Sequence, residues 1–526
     1  MHTKSLKFSK MWSLGIHAIA NAQPPHILLV VADDYGYNDV GYHQKKGTTT
    51  NVMLLTPTLD RLASEGRTLE NYYVQPLCSP TRGTIMTGRY PSHTGIGPSV
   101  IRCTMPYAMP KAEVLLPELL KRDSYQTHMI GKWHLGLCDE RMTPTYRGFD
   151  SFTGYLLGAE DYFNHTRSDS GFTGLDLRNS TTLSDANTMP PTTHLAYGTY
   201  STDVFVSAVE RVVGAWAEGD APLFVYLPFQ SVHAPLQAPA KYIDKYPASM
   251  NKNRRTYAGM VSALDDAVAR VEAAYVRAGI WNNTLLVFTT DNGGPSGSAN
   301  NIPLRGHKAT AWEGGVHGVA FVRGYGIPAG TTTKELMHST DWLPTLAGLA
   351  GAAAAAAAAA GLPLDGVDQW GVLARGEPTT RTMVIHNSPG ANESLSKCGG
   401  ALRLGRFKYL RAGSKMQVKG GVAQTPPPGF TPPPGIVCAP PRAHPPLGEW
   451  LFDIKNDPYE CTNLAQNASH AADLRRITAA FAAYRRSAVP DLASSHHVSD
   501  PAADPTKRAD GAWGPWSDRS SMCVYK

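Results

Sequence analysis

The sequence lacks a basic block, an internal repeat and, beyond its N-terminal segment, any long apolar run. Its 49 basic and 43 acidic residues give a net charge of +6, without the clustering that a nucleic-acid-binding surface requires. The repeat-protein classes are excluded because no fixed period is visible. No segment approaches the roughly 18 to 20 apolar residues of a membrane span. We therefore expect no nucleic-acid partner and no transmembrane segment.

Cysteine is scarce, and its seven positions are an odd number. In an oxidising compartment at least one cysteine would then stand outside an intrachain disulfide. The candidate is Cys78, in "LCSPTRGTIMTGR", which lies at or just before a predicted helix start where negative charge is favoured. A buried thiol, a disulfide partner and a thiolate nucleophile are all compatible with this position, and the disulfide is the most typical of an exported protein. The cysteines are Cys78, Cys103, Cys138, Cys398, Cys438, Cys461 and Cys523.

The N-terminal segment resembles a secretory leader. Three lysines precede "MWSLGIHAIA", and the small-x-small "ANA" ends at Ala22. Residues 1–22 are thus either a signal peptide or a leader without function. Glycosylation acceptors elsewhere favour export. They are Asn164, Asn179, Asn282, Asn392 and Asn467.

Charged residues make up only 17% of the chain and apolar residues 42%, which excludes a disordered protein. Short apolar runs bounded by turn residues predict buried strands, and helical patterns lie between them. In "TPTLDRLASEG", Thr56 is the expected helix N-cap and Pro57 the first helical residue. This alternation predicts an α/β fold whose mainly parallel sheet is flanked by helices. The strand candidates are "HILLVV" from His26, "THMI" from Thr127, "LFVYLPF" from Leu223 and "LLVFTT" from Leu285.

The chain changes character after about Leu346. Nine alanines occupy 352–360, and a proline-rich stretch covers 425–446. "ALRLGRFKYLRAG" and "EWLFDI" predict strands of a small antiparallel sheet, with "HAADLRRITAAFAAYRR" as a helix packed on it. We therefore predict a catalytic domain over residues 23–374 and a smaller α+β domain over 375–526.

Polar residues follow each of the four strand candidates. Because the carboxyl ends of parallel strands meet at one edge of a sheet, these residues can converge. An Asp pair alone is more typical of a turn or a helix cap, but "DNGG" after the last candidate favours a metal site. Oxygen ligands suit Ca²⁺ or Mg²⁺ and disfavour zinc. The residues are Asp33, Asp34, Lys132, His134, His233, Asp291 and Asn292.

The stretch "CSPTRGTIMTGR" resembles the signature of the sulfatase family, in which the cysteine is converted to formylglycine. Further motifs follow in the family's order over nearly the whole chain: "LLVVADDYGYNDVG", "GKWHLG", "SVHAP", "TTDNGG", "PLRGHK" and "AWEGGV". Later motifs, such as "IWNNT" and "LFDIKNDPYE", resemble the arylsulfatase B (N-acetylgalactosamine-4-sulfatase) type most. The resemblance implies an alkaline-phosphatase-like fold and, instead of a lasting thiol, a formylglycine at position 78.

The resemblance also implies a role for each site residue. Asp33, Asp34, Asp291, Asn292 and residue 78 match the ligands of one Ca²⁺ ion, for which Mg²⁺ is the poorer candidate. Arg82 matches the residue that steadies the formylglycine hydrate, which attacks sulfur. The other matches are Lys132 and Lys308 as sulfate-binding cations, His134 as the base for sulfate elimination, and His233 as a sulfate contact and proton donor, with Lys308 as a second candidate donor.

The implied function is hydrolysis of a sulfate monoester on a sulfated sugar such as N-acetylgalactosamine 4-sulfate. Its implied partner is a formylglycine-generating enzyme, and its location is the secretory pathway, lysosomal or extracellular. A phosphomonoester or phosphonate hydrolase of the same superfamily is the alternative enzyme. A non-catalytic sulfated-glycan binder is the alternative if Cys78 stays a thiol. Trp312 and Tyr155 could flank a sugar ring, although core packing is the more typical use.

The resemblance further pairs Cys398 with Cys438. Cys103 resembles a cysteine with a C-terminal partner, a place that Cys523 could take. Cys138 would then pair with Cys461, and other pairings of these four remain open.

Overall fold

The four predicted strands form the centre of a nine-stranded sheet. The structure, a computed structural model, describes residues 24–44, 53–123, 125–180, 197–351, 362–413, 448–492, 498–516 and 523. The strands are β1 (His26–Ala32), β2 (Arg67–Leu69), β3 (Tyr72–Tyr73), β4 (Gln126–Lys132), β5 (Ser151–Tyr155), β6 (Thr166–Asp169), β7 (Phe172–Leu175), β8 (Arg178–Ser180), β9 (Leu223–Pro228), β10 (Thr284–Thr290), β11 (Ala320–Gly324), β12 (Thr331–Thr333), β13 (Met337–His338), β14 (Met383–Asn387), β15 (Gly400–Leu404), β16 (Phe407–Arg411) and β17 (Glu449–Asp453).

Helices connect most of these strands. They are α1 (Pro57–Ser64), α2 (Cys78–Thr87), α3 (Pro91–Thr94), α4 (Leu116–Arg122), α5 (Ser201–Ala215), α6 (Ala240–Ile243), α7 (Lys252–Arg277), α8 (Glu313–Val316), α9 (Trp342–Leu349), α10 (Leu395–Cys398) and α11 (Ala471–Arg485). Single 3₁₀ turns lie at Gly41–His43, Glu140–Met142, Pro144–Tyr146, Trp281–Asn283, Ser339–Asp341, Ala468–His470, Pro501–Ala503 and Pro505–Lys507, and a π turn at Gly371–Arg375.

The sheet order is β12-β2-β11-β10-β1-β9-β4-β5-β8. The central strands β10, β1, β9, β4 and β5 run parallel, while β11 and β8 pair antiparallel with their neighbours. Alternate residues of β1 enter two different cores: Leu28 packs on the side of α5 and α7, and Leu29 on the side of α4 and α9. Both faces of the sheet are therefore covered, which explains its uninterrupted apolar strands. The predicted mainly parallel sheet is confirmed.

A second, antiparallel sheet follows in the order β14-β15-β16-β17. One face packs against α11, with Leu402 and Tyr409 against Ile477 and Phe481. The other face packs against the residues just before α8, through the core cluster that contains Trp312 and Trp450. The small sheet and its helix are as predicted. The domain boundary predicted at residue 375 precedes β14 and stays a prediction.

The disulfide pairing differs from the expectation. Cys138 is bonded to Cys523, and Cys461 is disulfide-bonded as well. Cys103 and Cys398 are free. The expected bond of Cys398 with Cys438 is therefore wrong. Of the pairings left open for the other four cysteines, the structure forms Cys138 with Cys523 and excludes Cys103 with Cys523 and Cys138 with Cys461. The cause is geometric, because the Cα atoms of Cys138 and Cys523 lie 5.6 Å apart, within bonding reach, although 385 residues separate them in sequence.

Three predicted segments lie outside the described residues: the leader at 1–22, the alanine run at 352–360 and the proline-rich stretch at 425–446. Cys438 lies outside them too. Among the helices of the described ranges, none combines the length and the apolar character needed to cross a membrane.

Candidate active site

The predicted site residues converge at the carboxyl edge of the central strands. Asp33 and Asp34 follow β1, and Asp291 and Asn292 follow β10, its parallel neighbour. Lys132 ends β4, and His134 comes two residues later; His233 lies in the loop after β9. Since these four strands are adjacent in the sheet, side chains far apart in sequence meet in one place, such as Asp34 and Asn292, which are 258 residues apart.

The acidic side chains and Asn292 form a connected, buried group. Asp34 N donates to Asp291 Oδ1 at 3.2 Å, and Asn292 Nδ2 donates to Asp34 Oδ1 at 2.8 Å. Asn292 Oδ1 is buried and accepts no hydrogen bond. A buried carbonyl oxygen without a partner costs free energy, and a cation would supply one. These oxygen donors therefore fit a hard divalent cation.

Four side chains bring possible metal-binding atoms close together. Ligand atoms of Asp33, Asp34, Cys78 and His233 all lie within 4.8 Å of one another. His233 was predicted as a sulfate contact, and here it stands among the candidate metal-binding side chains. The carboxylate of Asp291 is not in this group; its Oδ1 accepts from Asp34 N and its Oδ2 from Arg82 at 2.7 Å.

Three cations face the three carboxylates. Lys132 Nζ lies 2.5 Å from Asp33 Oδ2, and Lys308 Nζ lies 2.6 Å from Asp34 Oδ1. Arg82 bridges Asp33 and Asp291 at 3.1 and 2.7 Å. The charges inside the site are thereby balanced.

The pKa values of the carboxyl groups follow their neighbours. Burial raises the pKa of Asp33, but Lys132, His233 and Arg82 outweigh it and the net shift is downward. The pKa of Asp34 is also lowered, because Lys308 and His233 oppose burial. Burial and the charge of Asp33 raise the pKa of Asp291. The pair after β1 is thus the more strongly anionic part of the site.

Cys78 is the first residue of α2 and is fully buried. Its Sγ lies 3.7 Å from Asp33 Oδ1, and it is in no disulfide, so the disulfide interpretation is wrong. Burial raises the pKa of the thiol to about 12, against the opposing effect of Lys132 and Lys308. The nucleophilic thiolate is therefore almost absent at neutral pH. Arg82, four residues on, lies on the same face of the helix.

His134 has an unusual backbone conformation, with φ at 56°. Its N donates to Leu156 O at 3.1 Å, and its carbonyl oxygen accepts from Ser79 Oγ at 2.9 Å. Burial, followed by the charges of Lys132 and Arg82, holds its pKa well below the usual value. The ring is therefore neutral, and its Nδ1 has no hydrogen-bond partner. A neutral imidazole can accept a proton.

His233 differs from His134 in being partly exposed, at 19% of its side chain. Its Nδ1 is 2.6 Å from Ala234 O, a contact that fits an Nδ1–H donor, and its Nε2 points towards Asp34 Oδ2 at 3.7 Å. Tyr162 OH donates to the His233 carbonyl oxygen at 2.8 Å. Removal from water, together with Lys308, lowers the pKa of the ring.

Sequence reasoning missed Gly158, which packs against the His134 ring. It carries no chemical group, so no motif could indicate it. Trp312 and Tyr155 are fully buried; Trp312 packs on Trp450 and Phe452 at 5.6 Å between ring centroids. Both are core residues and do not flank a sugar.

The family model described as Sulfatase matches residues 25–352. Arylsulfatase J of Mus musculus is 37% identical over 517 residues, which cover 94% of this chain and 81% of that protein. The chain belongs to the sulfatase family. It is a sulfuric ester hydrolase of the arylsulfatase type, and the resemblance drawn from its motifs is confirmed.

This sulfatase is also similar to two proteins whose names include a sugar. N-acetylgalactosamine-6-sulfatase of Sus scrofa is 27% identical over 496 residues, 90% of this chain and 88% of that protein. The solved structure of Ps i-CgsB in complex with k-i-k-neocarrahexaose superposes with a TM-score of 0.71 at 27% identity, covering 89% of this chain and 94% of that chain. The alkaline-phosphatase-like fold of the prediction is confirmed.

Proposed function

We propose that this sulfatase hydrolyses the sulfate monoester of a sulfated sugar, of the N-acetylgalactosamine 4-sulfate type, with Cys78 converted to formylglycine. The position of Cys78 carries the proposal. It is buried at the start of α2, beside the carboxylates, cations and histidines of the strand ends. Burial raises the pKa of the thiol to about 12 and makes it a poor nucleophile, which supports a different reactive group at this position.

The names of two similar proteins support a sugar substrate. One is a sulfatase of N-acetylgalactosamine, and the other was solved with a bound neocarrahexaose. Both align with about nine-tenths of this chain. The 4-sulfate assignment rests on the arylsulfatase B type of motif in the sequence.

The oxygen donors support Ca²⁺ more than Mg²⁺, because Ca²⁺ accepts larger and less regular ligand sets. Asp33, Asp34, Asp291 and Asn292 would hold the ion together with residue 78. The unpartnered Oδ1 of Asn292 is the observation that favours this set. When bound, the ion and the hydrated formylglycine supply an activated oxygen nucleophile and offset the negative charge of the ester.

The chain's own side chains provide the remaining chemistry. Lys132 and Lys308 bind the sulfate oxygens as compact point charges. Arg82 steadies residue 78 from the next turn of α2. His134 accepts a proton at Nδ1. His233 keeps its Nδ1–H on Ala234 O and donates from Nε2 to the leaving oxygen only in its imidazolium form, which needs a second proton; Lys308, an ammonium, can share this task.

The test is the mass of the peptide that contains residue 78, from protein made in a host with a formylglycine-generating enzyme. We expect a loss of about 18 Da, the difference between a thiol and an aldehyde side chain. Cys103, also buried and free, is the internal control and should be recovered as an alkylated cysteine. The protein should release sulfate from N-acetylgalactosamine 4-sulfate, and the Cys78→Ala variant should lose at least about a thousandfold in kcat. An alkylated thiol at residue 78 in active protein would contradict the mechanism.

We further propose passage through the secretory pathway, to a lysosomal or extracellular location. The disulfide between Cys138 and Cys523 is typical of an oxidising compartment. Three of the glycosylation acceptors, Asn282, Asn392 and Asn467, are exposed.

A further inference from the structure

Lys308 lies in a loop formed by residues 305–314, which is fixed by hydrogen bonds near Lys308 and at its two ends. Near its tip, Lys308 N donates to Gly294 O at 3.1 Å, and Ala309 N donates to Pro76 O at 2.8 Å, two residues before Cys78. Its ends are joined to each other where Gly314 N donates to Arg305 O at 2.6 Å. The position of the Lys308 ammonium therefore depends on how this closed loop is anchored.

The anchor comes from the antiparallel C-terminal sheet and the turn that follows it. Glu460, seven residues after β17 ends, contacts both ends of the loop. Its carbonyl oxygen accepts from Arg305 Nε at 3.1 Å, and its Oε2 accepts from Glu313 N at 2.9 Å. Trp312 packs against Trp450 of the same sheet. The two sheets thus meet at the base of the Lys308 loop.

Buried charges join these parts. Lys408 Nζ, on β16, lies 2.7 Å from Glu313 Oε1 and 2.9 Å from Glu460 Oε1. All three side chains are at most 1% exposed. Glu313 Oε2 also accepts from Tyr73 OH at 2.8 Å. Burying three charges costs free energy that an apolar contact would not, whereas directional bonds fix one arrangement of the loop against the sheet.

We propose that Glu460 and Lys408 are positioning residues for the sulfate-binding ammonium of Lys308. The C-terminal sheet thereby sets the affinity of a site whose reacting groups lie at the edge of the large sheet, in α2 and in the loops after its strands. This inference rests on the proposed role of Lys308 in binding sulfate. Removing the Glu460 carboxylate leaves Glu313 N without its acceptor and Lys408 without one of its two ion pairs. The remaining ion pair of Lys408 with Glu313 still has no net charge.

The test is a double-mutant cycle with Glu460→Ala and Lys308→Ala in the mature holoenzyme. KM for p-nitrophenyl sulfate and the inhibition constant of inorganic sulfate are measured for each variant. We expect Glu460→Ala to raise both by about tenfold in the wild-type background and to change neither by more than about twofold when Lys308 is absent, because coupled residues are not additive. Glu460→Gln, which keeps an acceptor for Glu313 N, should recover most of the affinity.

The control is Arg406→Gln, in the same hairpin, whose partner Asp453 lies 3.0 Å away and outside the loop. It should leave both constants unchanged. Equal effects of Glu460→Ala in the two backgrounds, or no effect in either, would overturn the inference. If Glu460→Ala does not fold, the cycle is run with Lys408→Gln, which removes the cation between Glu313 and Glu460, under the same criterion. An unaltered Lys308→Ala variant would instead remove the proposed role of Lys308 and, with it, the basis of the inference.

Discussion

At the scale of single residues, His134 owes its position to its neighbours' backbone. Its φ of 56° is uncommon for a residue with a side chain, so surrounding contacts must hold it. One contact is with Gly158: a Cβ built on this glycine would lie 2.7 Å from His134 Nε2 and 2.8 Å from Cε1. The absence of a side chain at Gly158 therefore leaves the space that the imidazole fills.

Gly158→Ala should lower kcat for a sulfate ester by at least about tenfold, because the added methyl group displaces the ring from its place beside residue 78. The melting temperature should change little by comparison. The matched control is Gly214→Ala in α5, where an added Cβ meets no atom within 4 Å. Steady-state kinetics and thermal melting of both variants are the measurements. A Gly158→Ala enzyme with normal kcat would show that the ring does not need this space.

The convergence of the polar residues after the central strands could be predicted from the sequence, and the contact of Gly158 could not. Asp33 and Asp291 directly follow two predicted neighbouring strands, and the carboxyl ends of parallel strands meet at one edge of the sheet, so sheet geometry brings them together. Gly158 acts through a missing atom, and its partner lies across a loop. The place of His233 beside Asp34 is likewise a matter of three-dimensional packing, as are the contacts of Glu460.

At the scale of elements, the start of α1 shows how distant residues replace local capping. Thr56 is the N-cap residue, as expected, but its side chain accepts no hydrogen bond from the helix. It accepts from Gly41 N at 2.7 Å instead. The free amides of Thr58 and Leu59 donate to Asp265 of α7, at 3.1 and 2.8 Å. A capping residue that lies 206 positions away has no local sequence signal.

Burial of Asp265 raises its pKa from 3.8 to about 6. The folded protein thus binds this proton more tightly than the unfolded chain, and its stability from this group falls as pH rises from about 4 to 6. Asp265→Asn removes the dependence. Lowering the pH from 7 to 4 should therefore stabilise the wild type relative to Asp265→Asn. The difference between their free energies of unfolding should grow by about 1 to 3 kcal/mol in favour of the wild type.

Urea unfolding at the two pH values measures this difference. Asp266→Asn is the control, since the neighbouring side chain is 49% exposed and lies 3.9 Å from Lys245. A difference that is constant with pH for Asp265→Asn would contradict the raised pKa.

Strand prediction succeeded in the centre of the sheet and failed at its edges. β1 and β10 have seven residues each, all buried, and each contains a central apolar run that the sequence shows. The edge strands β12 and β8 have three residues each, too few to show a pattern, and so has β2 beside β12. β11 pairs antiparallel with β10. Its direction is set by how the chain runs between the two strands, which the apolar pattern of a strand does not indicate.

At the scale of the whole molecule, the disulfide joins two residues that are 385 positions apart in the sequence. Cys138 lies in the loop that continues from His134, and Cys523 is the last residue described. Trp516 N donates to Cys138 O at 3.2 Å, a second contact between the same two regions. The pairing could not be predicted because cysteine spacing does not determine connectivity.

Disulfide mapping of unreduced, denatured protein should recover a peptide pair linking Cys138 to Cys523, with Cys103 and Cys398 alkylated as free thiols. Cys523→Ser should lower the free energy of unfolding by about 2 to 5 kcal/mol, because the bond closes a loop of 385 residues and restricts the unfolded chain. Cys398→Ser, at a free and only partly buried thiol, is the matched control and should cost less than about 1 kcal/mol. Since the disulfide anchors the loop after His134, the Cys523→Ser enzyme should also lose activity at a lower temperature than the control. Recovery of Cys523 linked to Cys103 would instead restore the pairing expected from the sequence and remove this role for the C-terminal segment.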